Sequence, residues 1–287
     1  MADTTRPAVI DTHLHFWDLV TYETASRSWL ASNPAIHRNF LPPDLKPHFD
    51  ACGIDSGVII EAARDSHRLN RWWLSLAEQY EYIGAVVVGC RLEQDDLADW
   101  FDDYSASPYF VGVRTTPAGP SDQWWENPAT QRGLQELVRR DLSLDLLVGY
   151  ESYPAVAQIA GHYPHLRIIL DHCAHPPLRE GNLEEWRTAL TPLADYPNIH
   201  IKYSSFLLYS YPDSAVERLR PLADFLRTTF GLERMMWGSN WPVELLGGSY
   251  ETALATMQAG IEPLSAEERA ALFGGNAARF YRVNRLP

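Results

Sequence analysis

A single (β/α)8 barrel of the TIM type, an α/β fold, is predicted by three observations. Eight short runs, apolar on both faces, occur at residues 8–11, 57–61, 83–89, 110–113, 144–148, 167–171, 200–203 and 234–237. Strands buried in a parallel sheet read this way. Helical segments alternate with these runs, and nearly every run ends on a polar or ionisable residue, as the C-terminal rim of a barrel enzyme requires. A doubly wound open sheet is the runner-up. It would ordinarily carry a glycine-rich phosphate loop after its first strand, whereas here the first run leads into histidines and aromatics.

The first run is short and ends at His13-Leu14-His15. Strand alternation puts His13 and His15 on one face and Leu14 on the other. Two imidazoles aimed at one point begin a divalent-metal site; a polar loop is the competing account. Residues 16–43 are rich in Trp, Tyr and Pro and read as one irregular stretch, a lid or substrate wall. Within it Trp17, Tyr22, Trp29 and Phe40 suggest an aromatic wall. Residues 69–80 carry Leu69, Trp72, Trp73, Leu76 and Tyr80 at helical spacing. The segment 94–104 starts acidic, which suits the positive end of a helix. In 127–140, Asn127 is an N-cap with Pro128 at the first helical position. Helices at 183–196, 214–230 and 249–260 continue the alternation. Ser265-Ala266-Glu267-Glu268 is a capping box, and 276–283 is a further short helix. The seventh run is polar. Repeats, low-complexity tracts and interdomain linkers are absent from the sequence, so residues 1–287 read as one domain.

Composition narrows the function. The chain is 46% hydrophobic and 21% charged, so a packed core is expected rather than disorder. A formal net charge of -13 argues against nucleic acid or an anionic membrane as partner, though a local Arg could still hold a small anion. Three widely spaced cysteines, Cys52, Cys90 and Cys173, contain no CxxC and point to a reduced chain. With no apolar leader and no run of membrane-spanning length, a cytoplasmic protein is expected. A homo-oligomer is compatible with the sequence.

The strand ends gather the chemistry: His13 and His15, Glu61, Arg91, Arg114, Tyr150 and Glu151, Asp171-His172-Cys173-Ala174-His175, Lys202 with Ser204 and Ser205, and Ser239-Asn240. Loop residues alone would be heavier in Gly, Ser and Asn. Bland accounts stand beside the functional ones. Asp171 could cap a loop, Arg114 could pair with Glu61, Lys202 could snorkel from the sheet edge, and Cys173 reads as packing.

The motifs taken together resemble the amidohydrolase-2 family, in the branch of sugar-acid lactonases that act on fuconolactone and rhamnonolactone. They are Asp11-Thr12-His13-Leu14-His15-Phe16-Trp17-Asp18, Gly112-Val113-Arg114, Asp171-His172 with Pro176, Ile201-Lys202-Tyr203-Ser204, Met236-Trp237-Gly238-Ser239-Asn240-Trp241-Pro242, and 272–281. The resemblance spans the chain in order. It implies a distorted barrel and hydrolysis of a carboxylic ester, typically a lactone. Lactonases of this branch include some with one zinc ion and others without metal. Metal-dependent decarboxylases of aromatic acids are among the wider relatives.

Two departures from the family pattern matter. Asn240 stands where hydrolytic members carry the aspartate that takes a proton from the attacking water. Arg114 stands where binuclear relatives have the bridging lysine, so any metal is single. The expected site therefore has His13, His15 and His172 around one Zn2+ (or another divalent metal) or a bound water. His172, Asn240 and Glu61 are its catalytic candidates, because proton transfer must pass from position 240 to His172 or Glu61. Arg114, Lys202, Trp17, His175 and Trp241 contact the substrate, a lactone or carboxylate. Three accounts of Asn240 stay open: an introduced substitution, a native residue serving a non-hydrolytic isomerase, lyase or decarboxylase, and a non-catalytic ligand binder.

Overall fold

The computed structural model describes residues 6–21, 29–62, 65–117, 121–178, 183–209 and 215–283. Eight strands form one parallel sheet in chain order: β1 (Ile10–Leu14), β2 (Ser56–Ile60), β3 (Ile83–Gly89), β4 (Phe110–Thr115), β5 (Ser143–Leu146), β6 (Ile168–Leu170), β7 (Ile199–Ser204) and β8 (Met235–Gly238). All eight expected runs become strands.

The sheet curls until β8 meets β1. This seam carries a parallel bridge, Leu14 to Trp241, and side chains complete it. Asp11 Oδ1 accepts from the backbone N–H of Ser239 (2.8 Å) and of His13 (3.1 Å), and Thr12 Oγ1 donates to the Trp237 carbonyl at 2.6 Å. Gly238 permits the approach, since a Cβ there would lie 2.8 Å from the Cβ of His13. Tyr250 donates to the other Asp11 oxygen at 2.9 Å.

Helices surround the barrel: α1 (Pro42–Cys52), α2 (His67–Gln79), α3 (Leu97–Tyr104), α4 (Ser121–Glu126), α5 (Pro128–Arg140), α6 (Tyr153–His162), α7 (Glu184–Leu190), α8 (Phe206–Tyr209), α9 (Ala215–Phe230), α10 (Tyr250–Ile261), α11 (Ala266–Ala270) and α12 (Asn276–Tyr281). Their starts follow capping chemistry. Asn127 accepts from Ala129 N–H, Ser249 from Thr252 N–H, and Ser265 and Glu268 make the expected reciprocal box. Two longer helices were not anticipated. α1 opens with Pro42-Pro43, and α6 has Pro154 in its first turn. Proline fits there because the first helical N–H groups need no intrahelical acceptor. The stretch 16–43 is also less irregular than expected: Trp17 bridges Phe40, and 34–36 is a 3-10 turn.

Alternation divides the core in two. Ile59, Val86, Val88, Ile168, Leu170, Ile201, Tyr203 and Trp237 belong to the large cluster shared with the helices. Ile10, Val58, Ile60, Ala85, Val87, Ile169 and Met236 form a second cluster with Phe280 and Tyr281 of α12. That second cluster fills the barrel, and α12 plugs its lower end. On β7 the inward residues are His200, which packs edge-on to Phe280, then Lys202, then Ser204. The interior thus rises from an apolar floor through an ionic layer to the rim.

Candidate active site

β1 does not keep a regular register with β2. It shifts between Asp11 and Leu14, a bulge of the kind that re-aims side chains beside active sites. Below it Ile10 points inward; above it Leu14 packs outward and His13 and His15 turn in. Nε2 of His13 lies 3.1 Å from Nε2 of His15, and the ring of His172 is 4.4 Å, centroid to centroid, from that of His13. The imidazoles converge as alternation requires.

Two of the three rings have their proton assigned by a hydrogen-bond partner. His15 Nδ1 lies 2.9 Å from the Ile60 carbonyl, which can only accept, so His15 Nε2 keeps a lone pair. His172 Nδ1 lies 2.9 Å from Ser204 Oγ, whose own proton goes to the Lys202 carbonyl, so His172 donates there and its Nε2 is likewise free. His13 Nδ1 faces Asp171 Oδ1 at 3.6 Å. Burial lowers the His15 pKa to about 3, with the Arg114 charge adding to the effect. Burial also pushes His13 and His172 well below the usual imidazole range; for His13 the Lys202 charge is the next cause. All three are neutral near pH 7.

His172 reaches this place through an unusual turn. His172, Cys173, Ala174 and His175 all have left-handed φ, from 51° to 58°, at an expected cost of about 1–2 kcal/mol per non-glycine residue. The turn is held from behind. The Ala174 carbonyl accepts from Tyr153 Oη and from Trp186 Nε1, at 2.5 and 2.9 Å.

Asn240 follows β8, also with a left-handed φ of 62°, which asparagine tolerates better than most residues. Its backbone N–H donates to the His13 carbonyl at 2.9 Å. Its Oδ1 lies 3.1 Å from His15 Nε2, and its Nδ2 donates to Ser205 Oγ at 2.7 Å. Ser205 in turn donates to Glu244 Oε2 at 3.2 Å. Burial pushes the Glu244 carboxyl up to about 7, against donors from Leu207 N–H, Leu208 N–H and Ser205.

Beneath the imidazoles lies the ionic layer. Lys202 Nζ is 2.8 Å from Asp145 Oδ2 and 3.0 Å from Asp171 Oδ1, and all three side chains are fully buried. Burial alone would raise the Asp171 carboxyl. The Lys202 ammonium, with His13 and Arg114, outweighs it and holds Asp171 well below the usual carboxylate range. For Asp145 burial prevails and the shift is upward. Arg114 donates to the Glu61 carbonyl at 3.1 Å, and its Nε lies 3.2 Å from Asp171 Oδ2.

Above the layer opens a cavity of about 500 Å3, lined by His15, Arg114, His172 and Asn240 on one side and by Trp29, Asn33, Leu147, Leu208, Val243 and Leu246 on the others. Its size suits a small molecule. Several expected contacts are not on it. Lys202 lies one layer too deep and is already matched by two carboxylates. Trp17 donates its indole N–H to the Arg38 carbonyl and packs on Phe40; Trp241 packs on Phe16 and Phe40. Glu61 and His175 stand behind Arg114 and His172 without bordering the cavity among the described residues. Of the expected aromatic wall, Trp29 lines the cavity, Phe40 is core, and Tyr22 lies outside the described residues. Asp145 and Glu244 were not anticipated. Asp145 had a signal, a carboxylate between two leucines in an apolar run; Glu244 had none.

The amidohydrolase family profile matches residues 10–283. The chain belongs to the amidohydrolase family. Among the relatives of this amidohydrolase, an L-fucono-1,5-lactonase of Burkholderia ambifaria is 33% identical over 284 residues, covering 96% of each chain. An L-fucono-1,5-lactonase of Burkholderia multivorans is 31% identical, again over 96% of each. An amidohydrolase of Burkholderia multivorans solved with bound zinc superposes with a TM-score of 0.87 at 29% identity, covering 98% of this chain and all of that one.

No group of three or more His, Cys, Asp or Glu side chains is arranged to hold a metal among the described residues. The set that does converge is His13 Nε2, His15 Nε2 and Asn240 Oδ1, with neighbours 3.1 Å apart. A tetrahedral zinc with bonds of 2.0–2.1 Å spaces its ligands by about 3.3 Å. His15 Nε2 and the amide oxygen carry lone pairs, and His13 Nε2 joins them in the tautomer whose proton is on Nδ1, facing Asp171, so the set fits a cation.

Proposed function

We propose that this amidohydrolase is a lactone hydrolase acting on a small sugar-acid lactone, with one divalent cation, zinc foremost, held by His13, His15 and Asn240. The observation that carries the reading is the convergence of His13 Nε2, His15 Nε2 and Asn240 Oδ1, with His15 and Asn240 lining the cavity. The lactonase names of the two curated relatives support the substrate class. When bound, the cation supplies Lewis acidity, which polarises an ester carbonyl and acidifies a nearby water.

The side chains divide the remaining work. Arg114 borders the cavity, beside Asp171 and Glu61, and stabilises the oxyanion or a substrate carboxylate. Asn240 cannot take a proton. His172, on the cavity wall with Nε2 free, is the proton acceptor. Burial lowers its basicity. Lys202 fixes Asp171, and through it His13, rather than touching substrate. Trp29 gives one flat face for a sugar ring.

The amide at position 240 favours a second reading, a non-hydrolytic isomerase, lyase or decarboxylase on the same barrel. A panel of sugar-acid and aromatic lactones separates the two. The first reading predicts ring opening, lost on His15→Ala; the second predicts no ring opening and turnover of a carboxylate instead. No helix among the described residues is long and apolar enough to cross a membrane, and all three cysteines are unpaired. A cytoplasmic enzyme working as one domain is the setting that goes with this reading.

A further inference from the structure

We propose that Glu244 is a positioning residue that decides which face of the Asn240 amide meets the imidazoles. The inference rests on the cation reading above. An asparagine side chain can turn either its oxygen or its NH2 toward a neighbour. With His15 Nε2 a pure acceptor, local satisfaction would turn the NH2 toward it. The oxygen would then accept from Ser205. The structure has the opposite arrangement, with oxygen against nitrogen at 3.1 Å.

Glu244 accounts for the reversal. It is 3% exposed, and as a carboxylate it can only accept. Its Oε1 takes the N–H groups of Leu207 (2.5 Å) and Leu208 (3.3 Å), and its Oε2 takes the one hydroxyl proton of Ser205. Having given that proton away, Ser205 must accept, and Asn240 Nδ2 is the donor at 2.7 Å. The amide oxygen is thereby forced toward His15. A chain of hydrogen-bond polarity runs from Glu244 through Ser205 to Asn240 and ends in an acceptor aimed at the cation position. An aspartate at 240 would present an oxygen in either orientation, so this control is needed only because position 240 is an amide.

Glu244→Gln keeps size and burial but reverses the chain. The Gln oxygen accepts from Leu207, its NH2 donates to Ser205, and Ser205 donates to the Asn240 oxygen. The amide NH2 then faces His15 and closes the cation position. The test is the affinity for Co2+ at pH 8, read from the visible absorption bands of the bound ion in competition with a chelator. Glu244→Gln should weaken Co2+ binding by about 10–100-fold, the usual effect of losing an outer-shell partner. Glu244→Gln combined with Asn240→Asp should restore it. Ser205→Gly, at a φ of 59° that glycine adopts freely, should weaken binding in the same range and be rescued in the same way.

Unchanged Co2+ affinity in Glu244→Gln and Ser205→Gly overturns the inference. So does weakened affinity that Asn240→Asp fails to restore, because that outcome marks a merely structural role. A wild-type chain that takes up no Co2+ overturns the cation reading and this inference with it. Wild-type uptake with unaltered variants overturns this inference alone.

Discussion

The ammonium of Lys202 lies 3.0 Å from Asp171 Oδ1, with both side chains fully buried. This contact places Lys202 in the ionic layer rather than in the substrate cavity. Lys202→Met leaves Asp145 and Asp171 without their shared cation. Chemical denaturation should show a loss of about 3–5 kcal/mol, the usual cost of breaking a buried pair from one side. A stable Lys202→Met chain with raised KM and unchanged kcat would instead return Lys202 to the substrate.

Asn240 limits proton transfer. Asn240→Asp should raise kcat for lactone opening by about 10²–10⁴-fold, the usual worth of a positioned base. Steady-state hydrolysis followed by pH-stat measures it. If a native turnover disappears in this variant, the amide itself takes part in the chemistry and the non-hydrolytic reading gains.

The left-handed turn at 172–175 stays in place because the Ala174 carbonyl has two donors. Tyr153→Phe with Trp186→Phe leaves that buried carbonyl unpaired. A loss of about 1–3 kcal/mol is expected for an unsatisfied buried acceptor. Because His172 opens the turn, kcat should fall as well. Stability loss without any change in kcat would separate the turn from the site.

His200 sits on the barrel floor, and burial is the main cause of its pKa being lowered to about 4. Unfolded, it titrates near 6.5. The folded chain thus binds fewer protons, so this contribution to stability is complete above about pH 6.5 and is lost as the pH falls toward 4. Comparing wild type with His200→Gln isolates it from the other buried groups. The stability difference should shift against the wild type by about 1.4 kcal/mol per pH unit in that window. A difference independent of pH would contradict the half-buried, uncharged imidazole.

Much of this was legible in the sequence. Parallel strands buried on both faces read as apolar runs, which is why all eight were found, and the polar ends of those runs located the rim. Alternation brought His13 and His15 together, although the bulge between Asp11 and Leu14 that turns both inward leaves no mark in composition. Periodicity tells which face a side chain occupies but not its height in the barrel, so it cannot separate Lys202, in the ionic layer, from the residues at the cavity, nor single out Asp145. Pro42 reads as part of an irregular stretch because a helix start and a turn use the same residue. The left-handed course of His172 to His175 contains no glycine to announce it. Glu244 acts through Ser205, across 39 positions of chain, a link visible only in three dimensions.

Zinc titration of chelator-stripped protein, followed calorimetrically, tests the central claim most directly. The account predicts one equivalent bound by the wild type, and that equivalent lost in both His13→Ala and His15→Ala. Failure of the wild type to bind zinc, or equal binding by the two histidine variants, would contradict it.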